Sequence, residues 1–389
     1  MCSPFDLDRE DAMNKTLQLF SKISADEQLH LSLVERDMPA PESHEVVVQV
    51  EAAPINPSDM WPMFGPADLS KAELTFDDEL RELSAPLFPH TLNSVASRID
   101  QSLPVGNEGA GTVVSAGDSP QAQALLGKTV GLLSGATYSK YCCVPVQACL
   151  VHNNDTTPKQ AASSFVNPLT ALGMVDTMRL EGHTALVHTA AASNLGQMLN
   201  RICLAEDVPL VNIVRKQEQV DLLEKSGAQY VVNSSAESYK KDLYNAIEAT
   251  GATLAFDAIG GGEIASDILT SMERVGSKGV KGFNTYGSPD HKQVYIYGGL
   301  DFAPTTLNRA YGMSWGIGGW LLMQFLGRVE PSRVGELHKR VADEINTTFA
   351  NHFTAELSLK DALDPATAIK YNAKQTGAKY LINPSIAFD

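Results

Sequence analysis

The sequence predicts an α/β chain of two domains, one β-rich and one built on a doubly wound parallel sheet. Three observations predict it. The 389 residues exceed what one hydrophobic core usually organises. Short β-branched runs separated by Gly and Pro turns fill the stretch before residue 150. Beyond residue 165 or so, buried strand signals alternate with helical ones, the texture of βαβ units.

In chain order, Glu45–Glu51 is a β-branched run that ends in the turn Pro54-Ile55-Asn56-Pro57-Ser58-Asp59. Strand signals follow at Gly111–Ser115, Thr129–Leu133 and Tyr141–Val146. The partly charged segment 67–101 between them reads as helix, lid or insertion loop. Thr184–Thr189 is a buried strand, Asn194–Leu204 a helix and Pro209–Val214 a second strand. Gln217–Ser226 is a helix with Val220 and Leu223 on one face and Gly227 as its stop. Gln229–Val232, a helix near Ala236–Ala249 and the strand Thr253–Asp257 continue the alternation. Val334–Phe349 reads as a helix and Lys379–Asn383 as a last strand.

Composition narrows the function. With 30 basic and 46 acidic residues the net charge is −16, which repels phosphate backbones and argues against a nucleic-acid partner. Five cysteines (Cys2, Cys142, Cys143, Cys149 and Cys203) are an odd count without framework spacing, which fits a reducing cytoplasm. The first residues carry Asp6, Asp8, Arg9, Glu10 and Asp11 and no apolar core, so no secretory signal is expected. Ala310–Gly327 has no charge, but its five glycines and its length, short of the roughly 20 residues of a spanning helix, make it a buried core or subunit-contact segment. No membrane association is expected.

The turn His188–Gln197 lies where a strand runs into a helix, the place at which free N–H groups and the helix dipole hold a pyrophosphate. A dinucleotide fingerprint wants three small residues there, and Ala190, Ser193 and Gly196 occupy those positions, with Asn194 and Leu195 between them. An ordinary strand–helix turn of small residues would look the same. The end of the second strand decides between cofactors. An acid there would accept from a ribose 2′-OH, whereas Arg215 and Lys216 suit a 2′-phosphate, so NADPH is expected. Tyr297, Gly298 and Gly299 close another strand, on the sheet edge where a nicotinamide would lie.

These segments, with Ala52–Asp59, Val105-Gly-Asn-Glu-Gly109, Gly135–Tyr138, Val166–Thr170 and Asn212–Arg215, resemble the medium-chain dehydrogenase/reductase superfamily from about Val46 to Asn383. Within it the chain looks like the zinc-free quinone oxidoreductases of the zeta-crystallin type and the enoyl-thioester reductases. The resemblance implies a GroES-like β-rich catalytic domain over 1–165, with an insertion at about 67–101. It further implies a Rossmann NADP(H)-binding domain over 166–328 and a return to the catalytic domain over 329–389. NADP(H) would lie in the cleft between the two, with Asn167, Thr170 and Lys379 among its contacts, and homodimers would be common.

Zinc-dependent members carry Cys in the block equivalent to 52–59, His where Asn107 stands and Cys near 166–170. This chain has none of these, and Cys142 and Cys143 point to opposite faces of a strand, so no metal is expected. The enoyl-thioester reductases place a catalytic Tyr where this chain has Ala67. Tyr138 or a residue of the insertion is the expected substitute, unless Tyr138 is a packed strand residue. Asn56 is the expected donor on the substrate or nicotinamide side, or else an Asx turn before Pro57. The expected function is NADPH-dependent, zinc-independent reduction of small quinones or other α,β-unsaturated carbonyls. The alternatives are an enoyl-thioester reductase and a non-catalytic, crystallin-like or redox-sensing NADPH-binding protein.

Overall fold

The computed structural model of the chain describes residues 15–386 apart from 78, 79, 281 and 283. Cys2 and the acidic stretch from Asp6 to Asp11, on which the reading of the start of the chain rested, lie outside the described residues. The chain divides into two compact units, Met1–Val166 with Lys339–Asp389, and Asn167–His338.

The first unit is built from antiparallel strands. β1 (Lys15–Ile23) and β2 (Gln28–Asp37) form a hairpin in which Leu29, Leu31 and Leu33 alternate inward while His30 and Ser32 take the other face. β3 (Glu45–Pro54) follows, a β-branched run suited to a pleated surface. β4 (Glu73–Asp77) and β5 (Leu80–Pro86) extend the first sheet in the order β4-β5-β2-β1-β6, with β6 at Leu103–Pro104. The segment 67–101 is therefore neither a lid nor a structureless loop. Its β5 pairs with β2, placing Leu83 opposite Leu31 in the core, and its turn of 3-10 helix Leu92–Arg98 returns the chain to β6. That pairing joins strands far apart in sequence, and no local pattern announces it.

The second sheet of this unit contains β7 (Glu108–Ala116), β8 (Thr129–Leu133), β9 (Tyr141–Pro145) and β10 (Cys149–Val151). It runs β10-β8-β7-β3 and continues from β3 into Tyr380–Ile382 and Ala355–Leu357, so both stretches of the chain build one sheet. Val46, Val48, Val50, Val113, Val130 and Leu132 meet Tyr138 and the hairpin leucines in a common core.

The second unit is a Rossmann sheet. β11 (Leu186–His188), β12 (Leu210–Val214), β13 (Tyr230–Asn233), β14 (Leu254–Asp257), β15 (Lys292–Ile296) and β16 (Trp315–Gly319) lie parallel in the order β13-β12-β11-β14-β15-β16. Helices Asn194–Ala205, Gln217–Lys225, Tyr239–Thr250 and Ile264–Gly276 connect successive strands or follow them. The strand order reverses beside β11, which creates a crevice beyond the strand ends where such sheets bind ligands. The helix Val166–Leu180, buried over most of its length, precedes the first strand.

Two sequence expectations change here. Ala310–Gly327 is not a continuous buried segment. It holds the edge strand β16 and the helix Leu322–Arg328, with Tyr311 and Phe325 buried but Leu321 and Met323 more than half exposed. The expected helix Val334–Phe349 is Pro331–Asp343, since Asn346, Thr347 and Thr348 are poor helix formers. Among the described residues no helix is long and apolar enough to cross a membrane. The described cysteines are free thiols, Cys142 and Cys203 buried and Cys143 and Cys149 half-buried. Burial pushes Cys149 and Cys203 up to about 12; burial and the Glu45 carboxylate do the same to Cys143, and burial raises Cys142.

Candidate active site

In the second unit, β11 ends at His188 and the chain turns through Thr189–Ser193 into the helix Asn194–Ala205. Ala190 stands at φ +50, a left-handed conformation that glycine adopts freely and that alanine holds at a cost of about 1 kcal/mol. Ser193 caps the helix, its Oγ accepting from the Gly196 N–H at 3.1 Å. The N–H groups of Asn194 and Leu195 have no protein partner among the described residues, which leaves a positive, donor-rich helix end. Gly196 is required by close packing, since a Cβ there would lie 2.2 Å from the Ala191 carbonyl oxygen.

Beyond β12, Arg215 is exposed, and its guanidinium has no protein partner among the described residues. The N–H groups of Arg215 and Lys216 both donate to the Gln219 side chain, at 3.0 and 3.1 Å, which fixes the turn beneath the guanidinium. The Lys216 ammonium pairs with Glu218 at 3.2 Å. Asn167 and Thr170, one helical turn apart on Val166–Leu180, are both buried.

Tyr297, Gly298 and Gly299 follow β15 directly. A cleft of about 380 Å³ opens there, lined by Ile296, Tyr297, Gly298, Gly319, Trp320, Leu321 and Gln324. Gly298 passes close to the loop after β14, for a Cβ would meet the Ala258 carbonyl oxygen at 2.8 Å. The Tyr297 hydroxyl lies 2.7 Å from Nε2 of His188, whose ring stacks on the tyrosine at a centroid distance of 5.8 Å. His188 is fully buried, and burial pushes it down to about 3, so the ring is neutral at physiological pH. A neutral imidazole, its Nδ1 buried without a partner among the described residues, therefore holds the phenol that lines the cleft.

In the first unit the expected residues lie deeper. The Asn56 carboxamide is 2% exposed and donates to Oε1 of Glu108 at 2.8 Å. Glu108 is itself fully buried, and its Oε2 accepts from the Phe165 and Val166 N–H groups, each at 2.9 Å. Asp59 bridges the two loops around it, Oδ2 accepting from the Asn56 N–H at 2.8 Å and Oδ1 from the Asn107 N–H at 2.9 Å. Burial pushes the Asp59 carboxyl up to about 7 against these bonds, and burial also raises Glu108, with the Lys379 charge opposing it. Lys379 is 4% exposed and donates to Ser163 at 2.8 Å and Asn351 at 2.9 Å; burial pushes it down to about 8.

Tyr138, expected as a proton donor, is fully buried, and its hydroxyl donates to the Pro54 carbonyl at 3.1 Å. Burial, with the neighbouring Asp59, holds the phenol well above its ordinary range. It is packed, as the alternative expected, but in the loop between β8 and β9 and not on a strand, its ring belonging to the core between the two sheets. Asn56 and Lys379 are likewise occupied inside the protein, while Pro57, Ser58 and Trp61 beside Asn56 are exposed. Among the described residues no group of three His, Cys, Asp or Glu side chains could hold a metal ion.

No family model matches the chain. The mouse mitochondrial enoyl-[acyl-carrier-protein] reductase is 29% identical over 169 residues, 40% of this chain and 44% of that protein, so the match spans under half of the relative's length. A solved structure from Mesorhizobium loti, described as an NADPH:quinone reductase, superposes with a TM-score of 0.72 at 24% identity, covering 99% of this chain and 100% of that one. One from Bacillus thuringiensis, described likewise, gives 0.71 at 18% identity over 95% and 99%. The chain has the medium-chain dehydrogenase/reductase fold.

Sequence reasoning missed three side chains that organise this fold's loops. His188 is separated from Tyr297 by 109 positions, and its one signal was a polar residue ending the apolar run Ala185-Leu-Val187. Asp257 accepts from Thr189 Oγ at 2.7 Å and from the Ile259 and Gly260 N–H groups, tying the first turn to the loop after β14. Asp59 had only its place in the 52–59 block to mark it.

Proposed function

We propose that the protein is an NADPH-dependent, zinc-independent reductase of quinones or other α,β-unsaturated carbonyls, working in the cytoplasm as a homodimer. The observation that carries this reading is Arg215, an exposed guanidinium without a protein partner at the end of β12, one strand from the donor-rich helix end at Ser193–Gly196. The Mesorhizobium and Bacillus structures, described as NADPH:quinone reductases, share the whole fold. The described free thiols fit a reducing compartment. Among the described residues the edge strand β16 has one unpaired side, through which a second copy would continue the sheet.

The residues fit the cofactor. The Asn194 and Leu195 N–H groups would hold the pyrophosphate, Arg215 and Lys216 the 2′-phosphate, and the cleft at Tyr297–Gly298 the nicotinamide. When bound, NADPH supplies a hydride. The chain's own part is orientation and exclusion of water, because a quinone stabilises the incoming charge itself.

Arg215→Ala is expected to weaken NADPH binding about tenfold or more, the low end for a charge-assisted bond from an exposed side chain, and to leave NADH binding nearly unchanged. Equal losses for both cofactors, measured by fluorescence titration, would refute the 2′-phosphate assignment.

The function is tested by following NADPH oxidation, with EDTA present, against benzoquinone, cyclohex-2-enone and crotonyl-CoA. Turnover of the first two supports the reading, and activity abolished by EDTA and restored by zinc would remove the zinc-independent part. The partial match to the mouse enoyl-[acyl-carrier-protein] reductase favours a second reading, reduction of an enoyl thioester. Robust crotonyl-CoA turnover with inert quinones would make it the better one. Tight NADPH binding without oxidation by any acceptor would leave a cofactor-binding protein.

A further inference from the structure

Within the second unit, buried polar side chains lie behind the tyrosine of the cleft. β11 and β12 are parallel neighbours, and His188 pairs in register with Asn212, so both side chains leave the same face of the sheet. The helix Asn194–Ala205 covers that face, for Oδ1 of its Asn200 accepts from Asn212 Nδ2 at 3.3 Å. His188, Asn200 and Asn212 are each no more than 2% exposed. Among the described residues His188 Nδ1, Asn200 Nδ2 and Asn212 Oδ1 have no partner. A buried polar atom left in that condition costs about 1–3 kcal/mol.

The polarities of these three atoms fit one internal water molecule. A phenol is a better donor than an imidazole N–H, and a bare ring nitrogen is a better acceptor than a phenol oxygen. Across the 2.7 Å contact Tyr297 therefore donates to His188 Nε2. The neutral ring then carries its own proton on Nδ1. That leaves two donors, His188 Nδ1–H and Asn200 Nδ2–H, and one acceptor, Asn212 Oδ1. A water that accepts twice and donates once satisfies all three. With its proton committed to His188, the Tyr297 oxygen has a lone pair, and no proton, to offer the cleft it lines. The residues lining that cleft, from Ile296 to Gln324, all belong to this unit.

We propose that His188, Asn200 and Asn212 hold an internal water, and that the network it completes makes Tyr297 a hydrogen-bond acceptor that selects a primary amide in the cleft. The inference rests on the NADPH reading, under which that amide is the carboxamide NH₂ of the nicotinamide. Tyr297 is then a specificity-determining contact, and His188 is a positioning residue that acts through it. The same polarity excludes Tyr297 as the proton source for a reduced acceptor. Its proton is already engaged, and the imidazole that would replace it is fully buried.

The test compares binding of NADP⁺ and its 3-acetylpyridine analogue, in which a methyl group replaces the amide NH₂, by titration calorimetry. Wild type should hold NADP⁺ about fivefold more tightly, the worth of one neutral hydrogen bond. Tyr297→Phe, which keeps the ring and removes the acceptor, should bring the two ligands within about 1.5-fold of each other. His188→Phe should do likewise, because the freed phenol can then donate to the carbonyl that both ligands carry. A merely structural loss would weaken both ligands alike and leave their ratio untouched. In the free wild-type protein labelled with ¹⁵N-histidine, long-range proton–nitrogen NMR should show His188 protonated on Nδ1. A rotating-frame cross-peak should join that proton to water, and Asn212→Leu should remove it. Equal binding of the two dinucleotides by wild type, an undiminished preference in Tyr297→Phe, a His188 proton on Nε2, or no water at Nδ1 would overturn the proposal. Binding of neither dinucleotide would instead overturn the NADPH reading, and the NMR of the free protein would still decide the network.

Discussion

Glu108→Ala is expected to lower the free energy of unfolding by about 3–5 kcal/mol, the usual cost of removing one partner from a buried ionic network. Three donors converge on this carboxylate, Asn56 Nδ2 and the N–H groups of Phe165 and Val166, the first two bonds buried and the third partly so. Truncation leaves them unpaired and leaves the buried Lys379 charge without the carboxylate that opposes its loss. Glu108→Gln should lose less, because the amide oxygen still accepts while the NH₂ group faces donors. Equilibrium urea unfolding of the three proteins measures the difference. A loss below 1 kcal/mol in Glu108→Ala would mean that water enters and satisfies the donors.

Gly196→Ala is the second large effect. Alanine is ordinarily the better helix former by about 1 kcal/mol, but here its Cβ would lie 2.2 Å from the Ala191 carbonyl oxygen and 2.7 Å from its Cα. Both are backbone atoms, so no rotamer change relieves the clash, and the helix must lift from the turn that would hold the pyrophosphate. An overpacking cost of about 1–3 kcal/mol is expected, with NADPH binding weakened about tenfold or more as the donor N–H groups move. Gly335→Ala is the control. It lies in the helix Pro331–Asp343, a Cβ there meets nothing within 4 Å, and it should stabilise by up to about 1 kcal/mol. Calorimetric Tm values and fluorescence titrations of the two variants separate a packing effect from helix propensity.

The Rossmann unit was legible from β11 to β14 because most of those elements declare themselves locally, whereas β16 lay hidden in a segment read as one buried stretch. Apolar runs such as Pro209–Val214 end at turns, and Gly227 and Gly251 stop their helices in the left-handed conformation. The strands of the segment 67–101 were not legible, since β4 and β5 exist by virtue of β2, which lies some fifty positions earlier. The site divides along the same line. Ala190, Ser193 and Gly196 are read from spacing, because a strand–turn–helix imposes their roles. Tyr138 and Asn56 stay open between donor and strut in the sequence, because burial decides between the two, and burial belongs to the tertiary fold.

The four described thiols, buried and half-buried, bear on the chemical life of a protein proposed to reduce quinones and enones. Quinones and enones are electrophiles, and they alkylate cysteine through the thiolate. A thiol pushed up to about 12, as in Cys143, Cys149 and Cys203, is ionised to roughly one part in 10⁵ at pH 7. Cys142 is shifted the same way and buried besides. Each of these four sulfurs is thus a poor Michael donor, starved of the anion that attacks, and Cys142 and Cys203 are shielded by their neighbours besides. Such a chain can meet a reactive carbonyl turn after turn at its surface while these sulfurs escape covalent capture.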